Sequence, residues 1–123
     1  MTAPKLGRKL WILCREIIRK KYGNECYTCT AKGLQGKDWQ TGHMLAKGSV
    51  GAYLKYDLRL LRPQCTRCNI WGGGMGAAFY RNMVLREGQE YVDQIFRDKN
   101  ITVKASDYYE KLLEQYKVIL EEL

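Results

Sequence analysis

The chain has 123 residues, 46% of them hydrophobic and 28% charged, and carries a formal charge of +8. That length suits one compact globular domain and not two. No run approaches the roughly 20 apolar residues of a membrane helix, and Met1-Thr2-Ala3-Pro4 leads into a charged amphipathic segment and not a secretory leader. A soluble cytoplasmic protein with no membrane contact is expected. The charge is uneven: 16 Lys/Arg against 4 Asp/Glu through residue 86, then 5 against 9. A basic body with an acidic tail points to a polyanion for the body and to protein contact for the tail.

Residues 5–21 read as an amphipathic helix. Leu6, Leu10, Leu13, Cys14, Ile17 and Ile18 recur at intervals of three and four, with Trp11 widening the stripe. Cys14 falls on that stripe and reads as a small core residue. Arg8, Lys9, Arg15, Arg19, Lys20 and Lys21 fill the other faces, either as a solvated surface or as an edge that meets phosphate. Tyr22-Gly23-Asn24 ends the helix. Next comes the knuckle Cys26-Tyr27-Thr28-Cys29, a turn at 32–37, and a short strand predicted over 39–45 that carries His43, the only histidine. A second extended segment is expected over 53–61, broken by Pro63 before the second knuckle, Cys65-Thr66-Arg67-Cys68. A helix should begin near Cys68-Asn69, and Gly72-Gly73-Gly74-Met75-Gly76 should interrupt it as a joint or a close backbone approach. Further helices are expected over 77–86 and around Tyr91–Phe96. The last helix should start at Asp107, which caps it with Glu110 completing a capping box. Its stripe of Tyr109, Leu112, Tyr116, Ile119 and Leu123, widened by Leu113 and Leu120, suits a homodimer seam, a return onto the chain's own first helix, or both at once in a swapped pair.

Two C-x-x-C pairs separated by a few dozen residues are the spacing of one tetrahedral zinc site, so Cys26, Cys29, Cys65 and Cys68 are expected to hold a structural zinc. A zinc with four thiolates is coordinatively closed and cannot activate water. Chemistry must come from elsewhere, and His43 and Asn69 are placed to share a cleft beside the metal. A neutral imidazole can take a proton from water, and an amide oxygen is a hard ligand for magnesium or manganese. The pair suggests metal-assisted phosphodiester hydrolysis. Lys47, Lys55, Arg59, Arg62 and Arg67 flank it as candidate phosphate contacts, so DNA is the expected partner.

Cys26-Tyr27-Thr28-Cys29, Thr41-Gly42-His43-Met44-Leu45 and Cys65-Thr66-Arg67-Cys68-Asn69, in this order, resemble the zinc-bearing branch of the HNH, or ββα-metal, endonucleases. More closely, the run from Cys26 to about Ile95 resembles the phage lambda NinG (Rap) recombination nucleases, through Gly42-His43, Leu54-Lys55-Tyr56-Asp57, Gln64 to Asn69, Tyr80-Arg81 and the segment 88–92. The resemblance implies an α+β fold in one domain over 1–123. It would comprise an N-terminal helix (1–25), a zinc-clipped ββα core (26–76) and a helical C-terminal part (77–123). It also implies a structure-selective, Mg²⁺- or Mn²⁺-dependent endonuclease acting on branched recombination intermediates such as Holliday junctions and D-loops, acting as a homodimer in the bacterial host cytosol. Two positions depart from that pattern. The acidic metal ligand usual before the histidine is Gly42, and the middle asparagine of the motif is Leu60. Asp57 or Asp38 would have to supply the carboxylate. The readings without chemistry are a zinc-stabilised DNA-binding recombination accessory protein and, further off, a protein-interaction adaptor.

Overall fold

A computed structural model describes residues 1–123. The fold is α+β, mostly helical, with one two-stranded antiparallel sheet. The first helix, α1, runs from Ala3 to Tyr22, with Pro4 in its first turn and Arg19, Lys20 and Lys21 in its last, where cations suit the helix dipole. Gly23, at φ 76°, ends it and returns its N–H to the Arg19 carbonyl at 2.9 Å. Strand β1 (Gln40–His43) pairs with β2 (Leu61–Gln64), Gly42 opposite Arg62 and His43 opposite Leu61. Between them lies the short helix α2 (Ala52–Lys55). After a π-helical turn at Arg67–Trp71 come α3 (Gly76–Glu87), α4 (Gln89–Asp98) and α5 (Ala105–Glu122). None of these helices is long and apolar enough to cross a membrane.

The structure corrects three local expectations. The segment 53–61 is not extended: α2 is followed by a 3₁₀ turn at Leu58–Leu60, because Asp57 accepts the Arg59 N–H at 2.9 Å and nucleates that turn. Pro63 does not break the strand but sits inside β2 opposite Thr41. Both strands of a two-stranded ribbon are edges, so its missing N–H costs no ladder bond, and its carbonyl accepts the Tyr27 N–H at 2.8 Å. Helix α5 starts at Ala105, with no side-chain cap, and Asp107 lies within its first turn near Lys104.

The main core is α1 laid against α5, closed by α2, β2, α3 and α4. Leu6, Leu10, Cys14, Ile17 and Ile18 pack in one cluster with Tyr109, Leu112, Leu113 and Tyr116. Tyr109, Leu112, Leu113 and Tyr116 of the C-terminal stripe therefore meet the chain's own first helix, one of the arrangements its spacing allows, while Leu123 stays exposed. An acidic substitution at Leu112 would strike the core and not a seam between copies. Tyr56 locks the helix pair. Its carbonyl accepts from the Tyr116 hydroxyl at 2.6 Å and from the Cys14 thiol at 3.6 Å, and its hydroxyl lies 2.6 Å from where a Cβ on Gly7 would stand. Burial pushes the Cys14 thiol up to about 12, so it stays an inert core group, as the stripe implied.

Arg62 is the other fixed point, and its place overturns its assignment as a phosphate contact. The side chain is fully buried. Its Nη1 donates to the carbonyls of Leu61 (2.7 Å), Arg59 (3.2 Å) and Leu58 (3.3 Å), and its Nη2 reaches Glu87 (3.4 Å) and the Tyr91 hydroxyl (3.3 Å). The guanidinium also stacks on Tyr22 at 4.3 Å. It thus ties the 3₁₀ turn to α1, α3 and α4. Loss of a buried charge that satisfies several carbonyls costs about 3–5 kcal/mol, whereas exposed substitutions stay within about 0.5 kcal/mol. Urea titrations should show Arg62→Ala losing stability on that larger scale and Arg67→Ala almost none; equal effects would contradict this role.

Candidate functional site

The cysteine end of the molecule has almost no hydrocarbon core. Cys26, Leu34, Cys65 and Cys68 form a buried cluster of their own, against which only Cys29 and Trp39 pack. The first knuckle is shaped by local bonds, Cys26 N–H to Ala31 O at 2.8 Å and Thr30 N–H to Cys26 O at 3.0 Å, with Thr30 in the left-handed region. The second is shaped by Asn69 N–H to Cys65 O at 2.9 Å and by the Cys68 N–H facing the Cys65 sulfur at 3.5 Å.

All four sulfurs lie within 4.8 Å of one another, and those of Cys29 and Cys65 are 3.7 Å apart. A disulfide needs about 2.05 Å. A tetrahedron with arms of about 2.3 Å has edges of about 3.8 Å, close to the 3.7 Å between Cys29 and Cys65. The four cysteines can therefore hold a zinc ion, and no carboxylate or histidine stands among them. Burial pushes the Cys26 thiol up, but hydrogen bonds from the backbone amides of Cys29 and Cys65 and from Thr28 outweigh it and bring it down to about 6. Burial holds Cys68 up at about 12. Clustered thiols do not all ionise side by side, whereas a thiol that coordinates a dication is deprotonated outright. Metal analysis should return one zinc per chain. Chelation or Cys68→Ser should abolish hydrogen-exchange protection at the two knuckles and β1–β2 before that of α1 and α5; protection unchanged by chelation would contradict the site.

The knuckles position two further side chains. His43 ends β1, and Asn69 leaves the second knuckle on the π turn, a distortion frequent at functional sites. Together with Met44, Lys47, Gly73 and Gly74 they line one cleft of about 260 Å³. The His43 ring stacks on Trp11 of α1 (centroids 5.1 Å apart, planes at 14°), and its Nε2 is buried with no protein partner. Burial first, and Lys47 second, push its pKa down to about 4, against a hydrogen bond to the Lys55 backbone. At neutral pH the imidazole is neutral. Asn69 gives its Nδ2 to Gln40 Oε1 at 2.8 Å, and Gln40 is itself held by the Lys37 carbonyl at 3.0 Å. That leaves Asn69 Oδ1 as the free acceptor.

Neither candidate carboxylate joins the cleft. Asp38 accepts the Thr66 N–H at 2.8 Å and so braces the second knuckle. Asp57 is held by Arg59, through Nε at 3.1 Å and Nη2 at 2.7 Å. Arg59 also pairs with Asp98 at 2.9 Å, so its charge is spent inside the fold, as that of Arg62 is. Lys47 borders the cleft, Arg67 is exposed on the π turn, and Lys55 is half-buried. Gly42 is glycine for a packing reason. A Cβ there would stand 1.8 Å from Gln64 Oε1, and Gln64 is fixed by its amide bonds to Gly74 O (2.9 Å) and Thr28 (3.0 Å). The position where an acidic ligand was expected is filled by a neighbour's amide.

Sequence reasoning missed Trp11, Gln40 and Gln64 as neighbours of the site. Only Trp11 left a signal, as an aromatic followed by Arg15 and Arg19 at intervals of four along one edge of α1. Because folding holds His43 neutral, its contribution to stability is complete above about pH 6.5, the ordinary histidine value, and drains away as pH falls towards 4. The chain has one histidine, so a proton NMR titration reads it without ambiguity. The midpoint should lie near 4. A midpoint near 6.5 would place the ring in water.

A search of curated proteins and of solved structures returns no significant match. The sequence model of the family described as bacteriophage lambda NinG protein matches residues 8–123. The matched span contains α1 from Arg8 onward, both knuckles, the cleft and α5. On that match this chain belongs to the bacteriophage lambda NinG family.

Proposed function

We propose that this chain is an HNH-type DNA endonuclease of phage recombination, with a structural zinc and a Mg²⁺- or Mn²⁺-assisted cut in branched DNA such as Holliday junctions and D-loops. The observation that carries the reading is that a neutral imidazole and an amide oxygen, His43 and Asn69, line the same cleft beside a four-cysteine knot. In this reading a phosphodiester lies across the cleft with Lys47 against its charge. Water attacks phosphorus, His43 takes the proton that water loses, and the bond from phosphorus to the leaving oxygen breaks. A divalent cation at Asn69 Oδ1 would stabilise negative charge on the phosphate and the leaving oxygen. The cleft offers that cation no carboxylate, so its remaining ligands would be phosphate oxygens and water.

The missing carboxylate favours one alternative, a zinc-stabilised DNA-binding accessory protein without chemistry. Symmetric resolution of a junction takes two active sites, so a pair of copies is part of the proposal. Their contact would have to lie away from Tyr109, Leu112, Leu113 and Tyr116, which are buried against α1. Cleavage of branched and linear DNA with and without Mg²⁺ or Mn²⁺ separates the readings. Wild type should cut branched substrates only with the cation, and His43→Ala should lose about 10²–10⁴-fold in rate with its fold intact. Asn69→Ala should lose a comparable amount and recover part of it at high Mn²⁺. Binding without any cation-dependent cut would leave the accessory reading standing.

A further inference from the structure

A second groove, of about 410 Å³, opens between α1 and the turn that precedes β1. Trp11, Arg15, Arg19, Lys37, Trp39 and Asn69 line it, with no carboxylate among its walls. Asn69 is the residue it shares with the His43 cleft, and Trp11 forms its wall while stacking on His43 from behind. The two depressions therefore meet at the proposed reactive centre.

The cations of this groove are not spent on the fold in the way those of Arg59 and Arg62 are. No ion pair engages Arg15 or Lys37, and both are exposed. Arg19 does double duty. It donates to the Trp39 carbonyl at 2.6 Å and stacks on the Trp39 ring at 4.5 Å, which fixes the groove wall. Its Nε is buried with no partner, and no carboxylate neutralises it. Glu16 borders Arg15 and Arg19 on the outer side of α1 but does not line the groove.

We infer that this groove is a phosphate-binding subsite for one DNA strand, the same strand whose scissile phosphate lies at His43 and Asn69. Arg15 and Lys37 grip successive phosphates from opposite walls, and Arg19 holds the wall and supplies background charge. An anion-binding channel without acidic residues suits a phosphodiester chain. Its continuity with the cleft at Asn69 suits a strand passing through and not an isolated anion. The inference rests on the reading that the cleft acts on DNA, but it concerns binding alone.

The test uses the zinc-loaded full chain without added Mg²⁺ or Mn²⁺, and a short fluorescein-labelled single-stranded oligonucleotide followed by anisotropy at several KCl concentrations. The double variant Arg15→Ala/Lys37→Ala leaves the structural Arg19 in place. It should lose about tenfold in affinity, and its slope of log K against log salt should flatten by about 1.4, or about 0.7 for each phosphate lost from a single strand. The charge-matched Lys104→Ala/Lys117→Ala should bind as wild type does. Wild-type affinity and slope in the groove variant, or an equal loss in the charge-matched one, would overturn the subsite. A chain that binds through the groove and never cuts would retire the nuclease and keep the groove. A chain that cuts normally while the groove variant keeps the wild-type slope would do the reverse.

Discussion

Four thiols brought within 4.8 Å of one another are the constraint on which the rest of the site depends. The main core, with α1 against α5 and Tyr56 between them, is built from a large cluster of buried apolar side chains. The other end of the molecule is not, because beyond the cysteines it buries only Leu34, with Trp39 half-covered. Structural zinc contributes on the order of 10–16 kcal/mol in small metal-bound domains, the scale of a whole domain's stability. Here that contribution would fall on the segment that carries His43 and Asn69. The first knuckle is bonded to β2 through Tyr27 and Pro63, and the second knuckle runs directly into Asn69, so a cation among the sulfurs would fix the distance between β1 and the π turn.

Arg62 and Trp11 connect this end to the core. Arg62 sits opposite Gly42 in the sheet and gathers the carbonyls of the turn that feeds β2, so the register of the strand bearing His43 depends on a charge buried between helices. Trp11 comes from α1 and closes one face of the imidazole. The cleft is therefore not a property of the knuckles alone. Two elements distant in sequence set the orientation of its histidine, and burial by them keeps that histidine neutral.

Much of this was legible in the sequence because the signals were periodic or paired. The stripe from Leu6 to Ile18, the two C-x-x-C spacings, the Gly23 stop and the placement of His43 and Asn69 on adjoining elements all read directly. What could not be read depended on tertiary choice. Arg62 and Arg59 look like free cations in one dimension, and only the fold shows that carbonyls and carboxylates consume them. The α5 stripe is the same whether it meets another copy or α1. Gly42 reads as a missing ligand until Gln64 is seen in the space its side chain would need. Residues 53–61 carry apolar spacing that suits a strand, yet they begin in α2, and the Asp57 cap then makes a 3₁₀ turn of Leu58–Leu60 before β2 starts, a local hydrogen bond overriding a pattern.

The central claim is that the knot makes His43 and Asn69 one cation-dependent site. Paramagnetic Mn²⁺ offers the most direct measurement, since it broadens the resonances of nearby protons and the chain has a single imidazole to watch. On the zinc-loaded chain, Mn²⁺ added below one equivalent should broaden the His43 ring signals selectively, and Asn69→Ala should remove the effect while the ring keeps its chemical shift. An imidazole that stays sharp in the wild type, or that broadens equally in Asn69→Ala, would contradict the claim.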